Sequence, residues 1–119
     1  MATINLSTVK ELEDTLAKNS IVIIDFWASW CGPCKAFGPV FEKVSEAQPA
    51  IVFAKCNTEE APELAGSFDV SSIPTLAIFR DTILLYKEPG ALPQKPLEDL
   101  IRQVNELDMN KVREQIAKE

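Results

Sequence analysis

Residues 21–35 read IVIIDFWASWCGPCK, and this stretch contains the pattern that decides the fold. Its first part, Ile21–Trp27, is apolar on both alternating faces apart from Asp25, which is typical of a strand covered by helices on both sides. Beyond the Cys-Gly-Pro-Cys turn, a helical stripe predicts a helix to about residue 48. The apolar members of that stripe are Phe37, Val40, Phe41 and Val44. A buried strand that runs directly into a helix predicts a crossover unit.

The patterns around this unit extend it into a sheet. Upstream, Thr8 and Glu11 have the form of a capping box for an amphipathic helix to Lys18, which follows a short strand. Downstream, Ile51–Lys55 predicts a strand parallel to the first, because the preceding helix provides the crossover connection. Pro62 is well placed for the first turn of a short helix to about residue 68.

The second half of the chain predicts a hairpin and a further helix. Two apolar runs, Thr75–Phe79 and Ile83–Tyr86, are separated by a spacing that suits an antiparallel hairpin. The core-facing stripe of the last helix of the sheet domain consists of Leu97, Leu100, Ile101, Val104 and Leu107. We therefore predict an α/β protein with a central mixed β-sheet of four to five strands, flanked by helices on both faces.

A short tail follows residue 107. Its apolar residues Met109, Val112 and Ile116 point about a quarter turn away from the preceding stripe at 100° per residue, so a break or a separate helix is expected. Asp108 is placed to cap such a helix. We expect one domain at 1–107 and a helical extension at 108–119 that packs back on it and is not a separate domain.

Charge and length exclude several classes of protein. The 119 residues include 12 basic and 18 acidic ones, and the formal charge of −6 disfavours nucleic acid and anionic membrane as partners. The longest apolar run is about half the roughly 20 residues that a membrane helix needs. Met1–Asp14 lacks the basic patch and apolar stretch of a secretory signal, so a cytoplasmic protein is expected. A chain of this length forms one core, and we expect a monomer.

The three cysteines need an explanation other than a disulfide framework, because thiols in the cytosol are kept reduced. The chain has no histidine, which excludes Cys–His hydrolase arrangements and most zinc sites. Half of a zinc site is the alternative for a Cys-x-x-Cys pair, but tetrahedral zinc needs about four ligands, so no metal is expected. Cys56 is interpreted as a small core hydrophobe, with a regulatory thiol as the alternative.

Cys31 and Cys34 have the setting of a redox pair. Residues three apart on a first helical turn lie at about 5–6 Å, within the distance that a disulfide spans. The helix N-terminus stabilises a thiolate at Cys31, which makes Cys31 the attacking nucleophile. Cys34 lies one turn further in, where we expect it to be less exposed and to act as the resolving thiol. Gly32 and Pro33 lie between the two cysteines, and Pro33 preorganises the helical turn.

The segment Asp25–Lys35 resembles the active-site segment of thioredoxins almost residue for residue. The similarity continues through Pro39, Lys55, the segment 73–75 and the pair 90–91, and it covers about residues 4–107 in the order of that family. The resemblance implies the thioredoxin fold and the activity of a protein disulfide reductase. It also implies redox tuning by Gly32 and Pro33, since the histidine of oxidising relatives is missing between the cysteines.

The same resemblance implies roles for residues outside the pair. Pro74 is expected to be a cis-proline that faces the cysteines, with the backbone of Ile73 free to pair with an extended substrate. Trp30, Gly90 and Ala91, together with Ile73, would then complete a shallow apolar docking surface around the reactive sulfur.

Asp25 interrupts an apolar strand, and its burial should raise its pKa unless a positive partner compensates. By resemblance, Asp25 assists deprotonation of Cys34, and Lys55 on the adjacent strand moderates its charge. A satisfied core carboxylate is the alternative for Asp25, and the same alternative applies to Lys55.

The functional expectation is an electron donor to cytosolic protein disulfides that needs no bound cofactor. Its partners would be thioredoxin reductase and disulfide-containing proteins. The alternative is a partner-binding module or co-chaperone in which the dithiol is secondary. Three departures from the family pattern concern turns and the docking rim: Arg80-Asp81-Thr82 at the hairpin, Asp69 where glycine is common, and Pro89 before Gly90.

Overall fold

The computed structural model describes residues 2–118 and contains five strands and five helices in that range. The strands are β1 (Thr3–Asn5), β2 (Ile21–Trp27), β3 (Val52–Asn57), β4 (Thr75–Arg80) and β5 (Ile83–Pro89). The helices are α1 (Val9–Lys18), α2 (Gly32–Glu46), α3 (Pro62–Ser67), α4 (Gln94–Glu106) and α5 (Met109–Ala117). The predicted α/β class and mixed sheet are confirmed, with five strands.

The sheet has the order β1-β3-β2-β4-β5, so β2 lies at its centre. β1, β3 and β2 are parallel, whereas β4 runs antiparallel to β2 and β5 antiparallel to β4. The prediction of a parallel pair joined by a helix and of a terminal hairpin is therefore confirmed. Both β3 and β5 extend further than their apolar runs, because ladder pairing with β2 and β4 continues through polar residues to Asn57 and Pro89.

The alternation of side chains on β2 divides the core into two halves. Val22, Ile24 and Phe26 pack under α1 and α3, while Ile21 and Ile23 pack under α2 and α4. Asp25 has the parity of the second set, so it lies on the face that α2 covers. This placement puts the one acidic residue of the strand beneath the helix that begins at the cysteine pair.

Local signals in the sequence explain where two elements begin and turn. The capping box at the start of α1 is present, because the Thr8 hydroxyl accepts from the backbone N–H of Glu11 and the Glu11 carboxylate accepts from that of Thr8. The β4–β5 turn has positive φ at both central residues, 52° at Asp81 and 67° at Thr82. That conformation matches the twist of a two-residue hairpin, although glycine and asparagine are its usual occupants. Asp69 also has a positive φ, of 53°.

The tail forms a separate helix, as the shifted stripe predicts. Asp108 caps α5 by accepting from the backbone N–H groups of Asn110 and Lys111, and Met109 is buried. The expectation that Ile116 packs on the domain is wrong, since its side chain is 48% exposed. The apolar stripe of α5 is covered only in the first turn of that helix, where Met109 is buried and Val112 is half-buried.

Arg80 and Asp81, at the far end of β4, contact the end of α4 and the tail respectively. The Arg80 guanidinium donates through Nη1 to the carbonyl oxygens of Val104 (2.7 Å) and Leu107 (2.9 Å), at the end of α4. Asp81 pairs with Arg113 of α5 at 3.5 Å. None of the helices found between residues 2 and 118 is long and apolar enough to cross a membrane.

Candidate active site

Cys31 and Cys34 are joined by a disulfide across the first turn of α2, with their Cα atoms 5.2 Å apart. Cys31 is the N-cap residue of the helix, in an extended conformation, and its Sγ accepts a hydrogen bond of 3.2 Å from the backbone N–H of Cys34. Pro33 occupies the first turn, where its missing N–H leaves no helical bond unmade. The sequence therefore folds so that an unpaired helix amide and the positive end of the helix dipole face the Cys31 sulfur.

The two sulfurs have different surroundings, although their exposure is nearly equal. Cys31 is 3% exposed and Cys34 is 4% exposed, so the expectation that Cys34 is the less exposed of the two is wrong for this disulfide state. In the disulfide each sulfur is covered by the other, so both cysteines are buried to a similar degree. The Cys31 Sγ lies 3.7 Å from the carbonyl oxygen of Ile73, whereas Cys34 lines a groove on the flank of α2.

The loop before β4 brings Ile73, one of the predicted docking residues, to Cys31. The Ile73–Pro74 peptide bond is cis, as the resemblance implies, and Ile73 is half-buried. The backbone N–H of Gly90 donates to the Pro74 carbonyl oxygen at 2.8 Å, which ties the end of β5 to this loop. Gly90 has a φ of 109°, a conformation that favours glycine. Ala91 follows Gly90 directly and is exposed.

Trp30 stands beside the pair on the other side. It precedes Cys31 in the chain, and 69% of its side chain is exposed, which is the largest exposure among the exposed large hydrophobic residues. Gly32 and Pro33 are also exposed. Of the five predicted docking residues, Ile73 approaches the Cys31 sulfur, Trp30 precedes Cys31 in the chain, and Gly90 is hydrogen-bonded to Pro74. We call the five residues Trp30, Ile73, Pro74, Gly90 and Ala91 the docking surface.

Asp25 lies beneath α2 and is fully buried. Neither of its carboxylate oxygens has a hydrogen-bond partner within the described part of the chain. Burial raises the pKa of Asp25 from its ordinary 3.8 to about 7, and the positive charge of Lys55 partly opposes that rise. Lys55 is the register partner of Asp25 on β3, so the two side chains leave the sheet on the same face. The Lys55 ammonium lies 4.9 Å from the centre of the Trp27 ring.

Glu59 is a residue near the pair that sequence reasoning missed. Its carboxylate Oε1 accepts from both the backbone N–H (3.1 Å) and the hydroxyl (2.8 Å) of Ser29. The neighbouring Thr58 donates its N–H to the Trp27 carbonyl at 2.8 Å. The loop after β3 therefore holds the backbone that leads into the cysteines. The local sequence pattern around Ser29 does not predict this contact, because Ser29 and Glu59 are 30 positions apart in the chain.

Cys56 is separate from the redox pair. It is fully buried in the core half under α1 and α3, on the opposite face of the sheet from Asp25. Burial, and secondarily the negative charge of Asp25, raises the pKa of its thiol from 9.0 to about 11. The thiolate is the reactive form of cysteine, so burial and the raised pKa favour the interpretation of Cys56 as a small apolar core group over a regulatory thiol.

Comparisons with known proteins agree with this geometry. Residues 3–103 match the family model described as Thioredoxin. The chain is 51% identical over 112 residues to putative thioredoxin 2 of Streptomyces coelicolor, covering 94% of this chain and 84% of that protein. It is 35% identical over 98 residues to a thioredoxin of Mycoplasmoides gallisepticum, covering 82% and 98% of the two chains.

Solved structures of thioredoxins share this fold. Oxidised mitochondrial thioredoxin 3 of Saccharomyces cerevisiae superposes with a TM-score of 0.79 at 33% identity, covering 86% of this chain and 95% of that one. A mutant thioredoxin of Halobacterium salinarum superposes with a TM-score of 0.82 at 33% identity, covering 90% and 95%.

Proposed function

Because the chain belongs to the thioredoxin family and is a thiol–disulfide oxidoreductase, we propose that Cys31 attacks protein disulfides, Cys34 resolves the mixed disulfide and Asp25 takes the Cys34 proton. The observation that carries the proposal is the position of Cys31 as N-cap of α2, with the Cys34 amide donating to its sulfur. That amide and the helix dipole favour negative charge at Cys31 over Cys34. The protein reduces disulfides by exchange between its dithiol and disulfide forms.

The first step is attack of the Cys31 thiolate on a substrate disulfide. One substrate sulfur becomes bonded to Cys31, and the other leaves as a thiolate that is protonated by water. The N–H of Cys34, which donates to the Cys31 sulfur in the disulfide, favours negative charge on that sulfur. No bound cofactor takes part, because the two electrons come from the thiol pair itself.

The second step is attack of Cys34 on the Cys31 sulfur of the mixed disulfide. The Cys34 thiol must lose its proton first, and Asp25 beneath the same helix is the proposed acceptor. A carboxylate with a pKa of about 7 is well matched to this role, because a base poised near the operating pH transfers protons most effectively. The positive charge of Lys55 limits the rise in the pKa of Asp25, so a fraction of the Asp25 side chains is ionised at neutral pH. The proton transfer passes through water.

We propose that the docking surface holds an extended segment of the substrate. The backbone at Ile73 is available for strand-like hydrogen bonds, and Trp30, Gly90 and Ala91 offer apolar contact without a deep pocket. Pro89 removes a backbone donor at the rim of this surface. A shallow surface of this kind suits disulfides in many different proteins.

Replacing Trp30 by alanine is expected to lower kcat/KM for a protein disulfide about tenfold, because a largely exposed indole is lost from the contact area. The rate with a small linear disulfide such as bis(2-hydroxyethyl) disulfide should stay unchanged, since that compound does not extend to the indole. Steady-state kinetics with insulin and with the small disulfide measure the two effects. An equal loss for both compounds would contradict the docking role.

We propose that a thioredoxin reductase using NADPH recycles the oxidised pair and that the protein works in the cytoplasm. Members of the family work with such a reductase and with protein disulfides, and the acidic chain carries no feature that favours nucleic acid or a membrane as partner. The test is a mixture of NADPH, a bacterial thioredoxin reductase, this protein and insulin, in which the oxidation of NADPH is followed by absorbance at 340 nm. Absence of turnover in the complete mixture would reject the reductase as electron donor.

We also propose that residues 1–107 form the catalytic domain and that 108–119 stabilise it from the opposite end. β4 begins beside Pro74 and ends at Arg80, and its six residues span about 17 Å at the usual strand rise. The tail contacts the Arg80 end, where Arg113 pairs with Asp81. No contact described for the tail reaches the docking surface.

Truncation after Leu107 is expected to leave insulin reduction within about twofold of the full chain and to lower the free energy of unfolding by about 1–2 kcal/mol, chiefly through loss of the buried Met109 side chain. Urea unfolding and the insulin assay measure the two quantities. Arg113→Ala is the control that removes only exposed interactions, the ion pair with Asp81 and a hydrogen bond to Asn110, and it should change stability by less than about 1 kcal/mol. A large loss of activity on truncation would instead favour a binding role for the tail.

A further inference from the structure

A pocket of about 170 Å³ opens beside the docking surface, between the loop that joins α3 to β4 and the end of β5. Its walls include Asp69, Ser71 and Ser72 from the loop, with Lys87 and Pro89 from β5. The volume is several times the roughly 30 Å³ that one water molecule occupies in the liquid, so the pocket has room for a side chain. We call it the side-chain pocket.

The side-chain pocket is continuous with the docking surface along both of its walls. Ser72 directly precedes Ile73, whose carbonyl oxygen lies 3.7 Å from the Cys31 sulfur, and Pro89 directly precedes Gly90. An extended chain advances about 3.3 Å per residue. A substrate segment paired with the backbone at Ile73 therefore carries a residue over the pocket within about two positions of the attacked cysteine.

Two groups of opposite charge line this pocket, and they come from different elements. Asp69 is exposed, and its φ of 53° is a conformation that glycine adopts more easily, so the chain places a carboxylate on this rim at a conformational cost. The Lys87 ammonium donates to the carbonyl oxygen of Phe68 at 2.6 Å, which holds it at the wall and leaves its other N–H donors available. The pocket therefore offers both a charged acceptor and a charged donor.

These charges select among the side chains that could enter. A substrate glutamate would meet the like charge of Asp69, and a substrate lysine would meet that of Lys87. An apolar side chain would take water from both groups without replacing their hydrogen bonds, which is unfavourable. A carboxamide has an N–H₂ donor for the carboxylate and a carbonyl acceptor for the ammonium, so it satisfies both at once.

We propose that the side-chain pocket binds a carboxamide side chain, asparagine or glutamine, that lies within two positions of the attacked cysteine in the substrate. The inference rests on the proposed function and gives it a substrate class, namely disulfides with such a residue close to the cysteine. Asp69 and Lys87 are then specificity-determining residues outside the redox pair and outside the docking surface. The exchange chemistry at Cys31 is the same for every substrate.

Symmetric disulfides of two identical pentapeptides with a central cysteine test this preference, since attack on either cysteine gives the same product. Each position beside the cysteine is varied in turn among glutamine, glutamate, lysine and alanine. The rate constant with the reduced full-length protein is measured by chromatography of the released peptide and divided by the rate constant with dithiothreitol, which corrects for intrinsic reactivity. We expect glutamine, at one position, to react about fivefold faster than the other three, the worth of about one net hydrogen bond.

Asp69→Asn and Lys87→Gln should change the ranking of the peptides in opposite directions. Asparagine also adopts a positive φ, so Asp69→Asn removes the charge and keeps the loop conformation. It should raise the rate of the glutamate peptide about threefold, and Lys87→Gln should do the same for the lysine peptide. Glu88→Gln is the matched control for Asp69→Asn, because Glu88 is the next residue of β5 and does not line the pocket. Lys111→Gln, in the tail, is the control for the lost positive charge.

Equal rates for all four side chains at every position would overturn the inference. A change in ranking by Glu88→Gln as large as that by Asp69→Asn would also overturn it, as would a uniform slowing by Lys87→Gln that leaves the ranking unchanged. Trp30→Ala separates these failures from failure of the proposed function. If the peptides react alike but Trp30→Ala slows insulin reduction, the side-chain pocket alone is rejected. If the reduced wild-type protein releases no peptide, the proposed reductase activity fails as well.

Discussion

Cys31→Ser is expected to reduce insulin reduction to the uncatalysed background, whereas Cys34→Ser is expected to stop the reaction after one step. The first substitution removes the sulfur that the Cys34 amide and the helix terminus stabilise as an anion, and a serine hydroxyl stays protonated at neutral pH. The second leaves Cys31 able to attack but removes the thiol that releases the product. The two variants therefore fail at different stages.

The measurement that distinguishes them is mass spectrometry of the protein after incubation with a disulfide substrate. Cys34→Ser should accumulate a covalent adduct of protein and substrate that dithiothreitol releases, and Cys31→Ser should accumulate none. Cys56→Ala is the matched control, because Cys56 is buried in the other half of the core and burial raises the pKa of its thiol to about 11. Adduct formation by Cys31→Ser at the rate of Cys34→Ser would reverse the assignment of the two thiols.

Asp25→Ala is expected to stabilise the folded protein at alkaline pH while slowing the second step of the reaction. In the folded state the pKa of Asp25 is raised to about 7, but in the unfolded chain it returns to about 3.8. Between these values the unfolded chain is ionised and the folded protein holds a proton, so wild-type stability falls as pH rises through this window. The difference of about three pKa units corresponds to about 4 kcal/mol at pH 8, and Asp25→Ala removes this penalty.

The test is the pH dependence of the stability difference between Asp25→Ala and wild type. The advantage of the variant should grow by about 2 kcal/mol between pH 5.5 and pH 8, whatever constant cost the lost side-chain volume adds. Urea unfolding at both pH values measures it, and both lie above the isoelectric point of about 4.7. A pH-independent difference would show that Asp25 does not titrate in this window.

The same variant tests catalysis through a different quantity. The rate of resolution should fall by about 10²-fold at pH 7, the lower end of what general base catalysis contributes, and recover as pH rises. Alkylation of Cys31 should be little affected. A more stable protein that resolves slowly is the expected combination, because the burial that makes the carboxylate costly to the fold also raises its pKa toward the value that suits the proposed base. Unchanged kinetics would leave Asp25 as a core carboxylate.

The fold could be predicted largely from local patterns, because each pattern reflects a short-range cause. The capping box at Thr8, the two-sided apolar run of β2 and the shifted stripe of the tail all appear in the structure as expected. The ends of β3 and β5 could not be placed, since ladder pairing carries them beyond their apolar residues. The predicted packing of Ile116 on the domain is wrong, because helical periodicity shows which residues share a face of a helix but not whether a neighbouring element covers that face.

The cysteine pair with which the sequence analysis began was determined by the sequence itself: the spacing, the proline and the strand-to-helix setting are all contained within residues 21–35. The Cα separation of 5.2 Å and the N-cap position of Cys31 follow from that stretch and from helix geometry. Only the tertiary structure decided what surrounds the pair. Ile73 reaches Cys31 across 42 positions and Glu59 reaches Ser29 across 30, and the side-chain pocket forms between the loop before β4 and the end of β5. Such contacts depend on how distant segments cross in space, which no local periodicity encodes.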